Sequence, residues 1–369
     1  MHVLIATPIY PPSIGGPATY TKLIEGEFAK QNISTTIVSF DTFAKWPKGI
    51  RHVLYFFNVC IRLFGVDILY ALDPVSVGLP TALAARLFRK KYVVKIVGDY
   101  AWEQGVQRFG VNDLLDEFLQ KEYVGRVNVL RKIQTWVAKG AQGIIVPSNY
   151  LKSVVQKWGV SADLLSVVNN AFTPYQHVLS KNELRLKYNF RQGIHIISIG
   201  RLVPWKGFVE LIQVVDSLKD HISNLVLHIV GSGPDEKVLK KICSERGLSE
   251  HVIFEGRCEH NVTQELLRAS DIFVLNTGYE GLSHTILEAF AAGTPVITTN
   301  VGGNPELVEH KHNGILVPYQ NSDALQSAIY DVCQHMDEAD SFADASSQLV
   351  QHFSKERMVN TTIKILSSL

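Results

Sequence analysis

The chain alternates short apolar segments with longer amphipathic ones, and a glycine follows many of the apolar segments. Short runs rich in β-branched residues predict buried strands, and the amphipathic runs between them predict helices. A repeated strand–helix alternation predicts a parallel sheet that helices cover on both faces. The predicted strands are Val3–Ala6, Thr35–Phe40, Asp67–Ala71, Tyr92–Val97, Gly143–Val146, His195–Ile199, Leu225–Val230, His251–Glu255, Ile272–Leu275, Val296–Thr299 and Gly314–Pro318.

The alternation occurs twice, and 369 residues are enough for two domains of ordinary size. We therefore predict an α/β fold with two tandem doubly wound, Rossmann-like domains, whose carboxyl strand edges face across a cleft. The segment Asn169–Pro174 closes the first alternation, which places the predicted domains at residues 1–175 and 176–352. Residues 353–369 are predicted to form a last helix that returns to the first domain.

Composition excludes several classes of protein. A hydrophobic content of 46% with 19% charged residues is typical of a folded domain. The four cysteines are scattered without a CxxC pair, which argues against a zinc site or a disulfide framework and favours a reducing compartment. The sequence shows neither a signal peptide nor an uncharged run long enough to span a bilayer, so we expect a cytoplasmic protein.

Charge is unevenly distributed along the chain. Residues 1–175 contain 19 Lys and Arg against 12 Asp and Glu, a net +7, whereas the remainder carries −6. Within the basic half, Arg51–Phe64 is apolar almost all round. It is either a packed interior helix or an interfacial helix that contacts the anionic inner face of a membrane. Nearby cations that would favour the second interpretation are Arg89, Lys90, Lys91, Arg126, Arg131, Lys132 and Lys139.

Two glutamates flank a predicted helix start in the second half. Glu280 precedes Gly281 on a loop, and Glu288 lies within the apolar run of the following helix. The free backbone N–H groups of Gly281 to Ile286, at the positive end of the helix dipole, would hold a phosphate. Glu280 would then reach a sugar hydroxyl and Glu288 a ribose diol. The alternative is an ordinary amphipathic helix with two solvated glutamates.

Two cations follow the strand His195–Ile199. Arg201 and Lys206 are five residues apart, and Gly207 after them allows close approach of the backbone. A guanidinium and an ammonium in this position would clamp a diphosphate. The chain has no Asp-x-Asp and no cluster with metal-ligand spacing, so we predict no metal site and assign charge neutralisation to these side chains.

Other candidates follow strands of the first half. Gly15 and Gly16 form a turn before a helix, which either faces a ligand or is a plain turn. Asp99 follows the strand Tyr92–Val97, where it either contacts a ligand or caps a helix. Ser148 and Asn170 occupy comparable positions after later segments.

Together, these motifs resemble those of the GT-B-fold retaining glycosyltransferases, specifically glycosyltransferase family 4. The resemblance covers essentially the whole chain and is strongest over residues 195–318. It is carried by Gly15-Gly16, Arg201-x4-Lys206-Gly207, Glu280-x7-Glu288 and Gly302-Gly303-Asn-Pro305-Glu306.

The resemblance implies roles for individual residues. Arg201 and Lys206 match the cations that bind the donor diphosphate, Glu280 matches the acid that contacts the donor sugar, and Glu288 matches the acid that holds the ribose. Gly256 and Arg257 fall where the family packs the nucleobase. Many members carry a histidine after the fourth strand, where this chain has Gly98-Asp99, so Asp99 is a candidate catalytic residue. The loop that cradles sugar and phosphate matches Gly281, Leu282, Ser283, His284, Thr285 and Ile286.

The function implied is transfer of a sugar from a nucleotide-diphosphate sugar, UDP favoured over GDP, to a hydroxyl of a glycan or lipid-linked acceptor. The first domain would bind the acceptor and the second the nucleotide sugar. We expect a metal-independent, retaining enzyme of cell-surface polysaccharide or glycolipid biosynthesis, without a cofactor and without nucleic acid as a partner. The alternatives are a nucleotide-sugar epimerase of the same fold and a catalytically idle nucleotide-sugar-binding subunit.

Overall fold

A computed structural model describes residues 1–176 and 178–369, with the side chains of all of these except Lys48 and eight residues between 338 and 348. The described residues form two compact units. The first is Met1–Asn170 together with Lys355–Leu369, and the second is Ala171–Ser354. Each contains one six-stranded parallel sheet with flanking helices, which confirms the predicted α/β class and the two doubly wound sheets.

The sheet of the first unit has the strand order β2-β1-β3-β4-β5-β6. The strand order reverses between β1 and β3, and ligands bind doubly wound sheets at the carboxyl ends of such a pair. Its strands are β1 His2–Thr7, β2 Ser34–Ser39, β3 Ile68–Ala71, β4 Lys91–Lys95, β5 Gly143–Val146 and β6 Leu165–Val167. The helices are α1 Gly16–Lys30, α2 Lys48–Ile61, α3 Gly78–Leu87, α4 Tyr100–Arg108, α5 Leu115–Gln120, α6 Gly125–Gly140 and α7 Asn149–Lys157, with α15 Lys355–Ser367 from the end of the chain.

The second unit has the strand order β12-β11-β10-β7-β8-β9, so its order reverses between β7 and β10. Its strands are β7 His195–Ile199, β8 Val226–Val230, β9 Val252–Gly256, β10 Ile272–Leu275, β11 Val296–Thr299 and β12 Ile315–Val317. Its helices are α8 Lys181–Lys187, α9 Phe208–Leu218, α10 Glu236–Glu245, α11 His260–Ala269, α12 His284–Ala292, α13 Ser322–Gln334 and α14 Met336–Gln351.

Both faces of the second sheet are buried. Ile196 on β7 belongs to one hydrophobic cluster with α9, α10 and α13, and its neighbour Ile197 belongs to another with α11 and α12. Successive strand residues point to opposite faces, so a strand that is covered on both sides is mostly apolar. This explains why the strands were recognisable as continuous apolar runs.

Helix α2 buries one face only. Tyr55 and Val59 are fully buried, and the Tyr55 hydroxyl donates to the carbonyl of Val38 at 2.9 Å. Val53 and Phe57 on the opposite face are exposed. Tyr55 and Val59 therefore face inward while an apolar stripe faces out, which differs from a helix that is packed all round.

Candidate functional site

The loop after β7 is held in one conformation by a close backbone approach. Residues Pro204–Lys206 form a 3₁₀ turn that ends at Gly207, whose φ of 56° is left-handed. A Cβ at Gly207 would lie 2.3 Å from the carbonyl oxygen of Asn276, so only glycine fits there. The Asn276 side chain in turn donates to the carbonyl of Gly207 at 3.2 Å. Since Asn276 follows β10, these contacts join the ends of the two strands where the sheet order reverses.

Lys206 and Glu280 meet at this edge of the sheet. The Lys206 ammonium donates to the Glu280 carboxylate, and their side chains are 13% and 21% exposed. An ammonium has three N–H donors, so a lysine that bonds one carboxylate oxygen can still donate to another anion. The sequence predicted both residues for the site, and the structure places them in direct contact.

Arg201 lies in a cavity at the carboxyl ends of β7, β8 and β9. The cavity has a volume of about 370 Å³, and Arg201 and Arg257 are both exposed there. Two guanidinium groups in one polar-edged cavity suit a ligand with negative charge and planar oxygen acceptors. The lining residues are Ile199, Gly200, Arg201, Val230, Gly231, Ser232, Arg257, Cys258 and Thr263.

Gly256, predicted beside Arg257, ends β9 with a left-handed φ of 69°. A Cβ at this position would meet nothing within 4 Å. Its carbonyl accepts from the N–H of Gly231 at 2.7 Å, and Gly231 and Arg257 both line the cavity. This placement is compatible with the predicted packing of a nucleobase against backbone.

The N-terminus of α12 offers fewer free N–H groups than the sequence suggested. Ser283 is the N-cap, and its hydroxyl accepts from the backbone N–H of Ile286 at 3.4 Å. The N–H of Ile286 is used by this cap and its side chain is fully buried, so the contact of its backbone with a ligand stays a prediction. The Leu282 side chain also belongs to the core, so it can contribute backbone only.

The remaining residues of that loop stay candidates. Gly281 is buried, and His284 and Thr285 are partly exposed in the first turn of α12. The Thr285 hydroxyl is 2.9 Å from the hydroxyl of Ser283. Backbone N–H groups in the first turn of a helix have no partner within the helix, which leaves this turn suited to an anion.

Two glycines after β11, Gly302 and Gly303, pack against the backbone of Glu280 and Gly281. The N–H of Gly303 donates to the carbonyl of Glu280 at 2.8 Å. A Cβ on Gly302 would lie 2.2 Å from that same carbonyl oxygen, and one on Gly303 would lie 2.3 Å from the oxygen of Gly281. Sequence reasoning noted Gly302-Gly303 as part of a motif but missed this role, because the contact joins segments that are separated in the chain.

Glu288 lies within α12, as predicted, with a side chain that is 16% exposed. Burial raises the pKa of its carboxyl to about 7. The contact with Gln264 lowers this pKa, but by less than burial raises it. Among the described residues, the His260 ring lies near this carboxylate, with Nδ1 3.9 Å from Oε1. A carboxylate kept partly dehydrated in this way gains from new hydrogen-bond donors such as a diol.

We expect Glu288→Gln to stabilise the ligand-free protein at pH 8 and to have little effect near pH 4.5. The folded pKa of about 7 lies above the ordinary 4.5, so the cost of burying the ionised carboxylate is present above pH 7 and disappears as the pH falls toward 4.5. Thermal unfolding midpoints of the two proteins at both pH values measure this. Glu309→Gln replaces an exposed carboxylate and should change neither midpoint. Equal effects of Glu288→Gln at both pH values would contradict the burial argument.

The Gly15–Gly16 turn lies at the carboxyl edge of the first sheet, between β1 and α1. Asp41, after β2, orders the loop that precedes the turn by accepting from the Ser13 hydroxyl at 2.6 Å and from the N–H of Tyr10 at 3.3 Å. A Cβ on Gly16 would meet nothing within 4 Å, so no close packing requires glycine there. Both glycines remain candidate ligand contacts.

Two predicted contacts of the first unit are wrong. Asp99 is fully buried as the N-cap of α4, where its carboxylate accepts from the N–H of Trp102 at 2.9 Å and from the Trp158 indole at 3.1 Å. Burial raises its pKa. Ser148 is likewise fully buried and caps α7 through the N–H of Leu151. Neither side chain is accessible to a substrate, so the capping alternative holds. Asn170 is partly exposed and stays a prediction.

Sequence reasoning missed two ionisable groups at the carboxyl edge of the first sheet. Lys95 ends β4 with 3% exposure, has no hydrogen-bond partner for its ammonium among the described residues, and lies 4.3 Å from the centre of the Tyr20 ring. Burial lowers its pKa to about 7. Asp73 follows β3, accepts from the N–H groups of Val75 and Ser76 at 2.6 Å each, and has a pKa raised by burial. Lys95 could have been found from the sequence, because a lysine within an apolar strand is unusual.

Residues 180–348 match the model of the family described as glycosyl transferases group 1. This segment is less than half of the chain, and it is similar to the glycosyltransferase domain of that family. Arg201, Lys206, Glu280 and Glu288 all lie inside the matched segment, whereas Gly15, Gly16 and Asn170 lie outside it.

Two curated relatives resemble parts of this chain. A GDP-mannose-dependent alpha-(1-6)-phosphatidylinositol monomannoside mannosyltransferase of Mycobacterium tuberculosis is 28% identical over 234 residues, 60% of this chain and 60% of the relative. The lipopolysaccharide core biosynthesis glycosyltransferase LpsE of Rhizobium meliloti is 30% identical over 174 residues, 47% of this chain and 49% of the relative. The chain thus aligns with about half to three fifths of the length of these relatives.

Solved structures share the fold over the full chain. Anabaena HepE in complex with UDP-glucose has a TM-score of 0.78 at 20% identity, with both chains covered completely. Sucrose-phosphate synthase of Thermosynechococcus elongatus has a TM-score of 0.78 at 17% identity and covers 100% of this chain and 98% of its own. These likenesses confirm the GT-B type of fold.

No helix in the described part of the chain combines the length and the apolar character that crossing a bilayer requires. Within the same residues, no group of three or more His, Cys, Asp or Glu side chains is placed to hold a metal ion.

Proposed function

We propose that this protein transfers a sugar from a nucleotide-diphosphate sugar to a hydroxyl of a glycan or lipid-linked acceptor, with retention of configuration and without a metal. The observation that carries the proposal is the Lys206–Glu280 pair at the strand-order reversal of a glycosyltransferase family domain. A cation and an acid in contact at this edge can receive the two ends of a sugar diphosphate. The first unit is assigned to the acceptor, with Gly15, Gly16 and Asn170 as candidates.

The roles follow from position and charge. Arg201 and Lys206 bind the diphosphate, and Glu280 accepts hydrogen bonds from hydroxyls of the donor sugar. Glu288 holds the ribose diol, and the cavity beside Gly256 and Arg257 receives the nucleobase. The side-chain cations neutralise charge on the diphosphate, as a divalent metal ion does in other enzymes.

In the reaction, the bond between the anomeric carbon and the diphosphate oxygen breaks, and its electron pair leaves with the diphosphate. Positive charge develops on the anomeric carbon while Lys206, Arg201 and the first turn of α12 stabilise the departing anion. The acceptor oxygen bonds to the anomeric carbon from the same face. Its proton passes to the departing phosphate oxygen, so the products are the glycoside and the nucleoside diphosphate.

A thermal-shift panel tests the donor class. UDP, GDP, UDP-glucose and GDP-mannose are each compared with the ligand-free protein, because a ligand that binds only the native state raises its stability. At a concentration of a hundred times Kd the gain is about 2.7 kcal/mol. We expect uridine compounds to give the larger shift, as the solved HepE structure contains UDP-glucose, although the mycobacterial relative is named as GDP-mannose-dependent. No shift with any of the four would contradict the proposal.

Incubation with the donor that binds separates transfer from the alternatives. A transferase releases nucleoside diphosphate and depends on an acceptor alcohol for turnover beyond slow hydrolysis. An epimerised nucleotide sugar with donor alone would favour an epimerase, and binding without any turnover would favour an idle subunit.

We assign the reaction to cell-surface polysaccharide or glycolipid biosynthesis. The names of the two relatives refer to a phosphatidylinositol mannoside and to a lipopolysaccharide core. An enzyme with a lipid-linked acceptor gains from peripheral contact with the inner face of a membrane, because both reactants then share one surface. The apolar stripe of α2 in the basic first unit supports this assignment.

A further inference from the structure

Three neighbouring helices of the first unit expose many large apolar side chains and carry no acidic residue of their own. Helix α3 packs against both α2 and α6. The sequences of these three helices contain lysines and arginines but no aspartate or glutamate. Their exposed large apolar side chains, with those of the adjoining loops, are Trp46, Ile50, Val53, Phe57, Ile61, Phe64, Leu83, Leu87, Phe88, Val129 and Trp136.

The exposure of this surface is high for side chains of this size. Phe64 is 97% exposed, Ile61 78% and Leu87 65%. On α2, Val53, Phe57 and Ile61 are spaced four residues apart and therefore form one stripe along the helix. Contiguous apolar surface of this kind marks an interaction site rather than the ordinary scatter of exposed residues.

A groove and a cationic cavity adjoin each other between α3 and α6. The groove is apolar, and its lining residues are Leu79, Val129, Lys132, Ile133 and Trp136. The cavity beside it has a volume of about 380 Å³ and contains three cations; its lining residues are Ala82, Arg86, Lys90, Tyr92, Trp136, Lys139, Gly140 and Gln142. Because Trp136 lines both, the apolar groove and the cationic cavity adjoin at this residue.

The three cations of the cavity are not equivalent. The Lys90 ammonium donates to the carbonyl of Val66 at 2.6 Å, which fixes its position but leaves two of its N–H donors. Arg86 and Lys139 are exposed. Three cations that line one cavity with an aromatic wall are suited to a phosphate group that carries a hydrocarbon chain.

We propose that this surface binds a bilayer that contains anionic phospholipid. The phosphate of one lipid headgroup lies against Arg86, Lys90 and Lys139, an acyl chain follows the apolar groove, and the exposed stripe of α2 enters the interfacial region. Charge complementarity selects this occupant, since none of the three helices carries an acidic residue that an anionic surface would repel. The proposal deepens the membrane contact of the proposed function by naming the lipid site.

The lipid site and the candidate transfer site are separate. Lys90 and Gln142 immediately precede β4 and β5, so the cavity lies at the amino ends of these strands. The candidate residues Gly15, Gly16 and Asn170 follow strands at their carboxyl ends. A protein docked through this cavity therefore keeps the carboxyl edge of the first sheet uncovered.

Flotation with phosphatidylcholine vesicles, with or without phosphatidylglycerol as a third of the lipid, tests the headgroup site. Each cation near an anionic surface contributes about 1 kcal/mol, so Arg86→Gln with Lys139→Gln should weaken binding roughly thirtyfold. Lys22→Gln with Lys30→Gln is the matched control, because it removes the same charge from ion-paired lysines of α1. Equal loss in both double variants, or equal binding of the native protein to both vesicle types, would overturn the proposal.

Quenching by brominated phosphatidylglycerol tests insertion of the acyl chain. We expect tryptophan emission to fall when these vesicles are added, and Trp136→Phe to remove part of that quenching. Phe57→Ser with Ile61→Ser should reduce flotation at least tenfold through the lost apolar area, with an unchanged unfolding midpoint because both residues are exposed. Unaltered quenching in Trp136→Phe, or unaltered flotation in the α2 variant, would count against this docking surface and for a protein partner.

Thermal shift by the nucleotide sugar is measured on the same variants. The lipid-site variants should bind the donor as the native protein does, since none of the changed residues belongs to the second unit. Loss of vesicle binding with retained donor binding supports the lipid site by itself. Vesicle binding without any donor binding would defeat the proposed transfer and leave the lipid site standing.

Discussion

Lys206→Ala should lower kcat by roughly 10²–10³, the loss expected when one group that stabilises developing negative charge is removed. The Lys206 side chain is only 13% exposed, so its charge is screened less than that of a surface lysine. Its loss should affect kcat more than KM, because charge on the diphosphate increases as the bond to the sugar breaks. Steady-state kinetics with the donor identified by thermal shift measure both constants.

A control variant and the unfolding midpoint separate this effect from damage to the loop. Lys240→Ala removes a lysine that pairs with Glu236 on the exposed side of α10, and it should leave kcat unchanged. Lys206→Ala also leaves Glu280 without its cation. If damage to the loop caused the loss of activity, the unfolding midpoint of Lys206→Ala would fall well below that of Lys240→Ala. Unchanged turnover in Lys206→Ala would defeat the assignment.

The positions of Lys206 and Glu280 could be predicted because each follows a strand of a parallel sheet. The apolar runs His195–Ile199 and Ile272–Leu275 are strands with the predicted bounds. The carboxyl ends of such strands share one edge, and both residues therefore lie on it. What the sequence could not give was the direct contact between them, which depends on the left-handed turn at Gly207 and its packing on Asn276.

Other features of the structure could not be predicted from the sequence, for physical reasons. Strand β6, Leu165–Val167, has three residues, too few for a periodic pattern to show. Asp99 after a strand predicts either a ligand contact or a cap, and the sequence does not reveal which way its carboxylate points. The deciding donor is the Trp158 indole, 59 residues further along the chain. The helix α2 was ambiguous in the same way, since an all-round apolar pattern does not say which face remains uncovered.

The second large effect is expected at Gly302, which touches no ligand in the proposed reaction. Gly302→Ala places a Cβ 2.2 Å from the carbonyl oxygen of Glu280, at a residue whose φ is +64°. Because the obstacle is backbone, Glu280 must move, and a displacement of about 1 Å in a positioned group can cost about 10²-fold in rate. We therefore expect kcat/KM to fall by about that factor, with a lower unfolding midpoint.

Gly293→Ala is the matched control for Gly302→Ala. Gly293 caps the end of α12 with a φ of +72°, but a Cβ there would meet nothing within 4 Å. This variant therefore carries the left-handed backbone cost of about 1–2 kcal/mol without the clash. It should lower the unfolding midpoint and leave kcat/KM within a few fold of the native value. If the two variants lost activity equally, the loop Gly302–Gly303 would not be what positions Glu280, and the acid would have to be held by its ion pair with Lys206 alone.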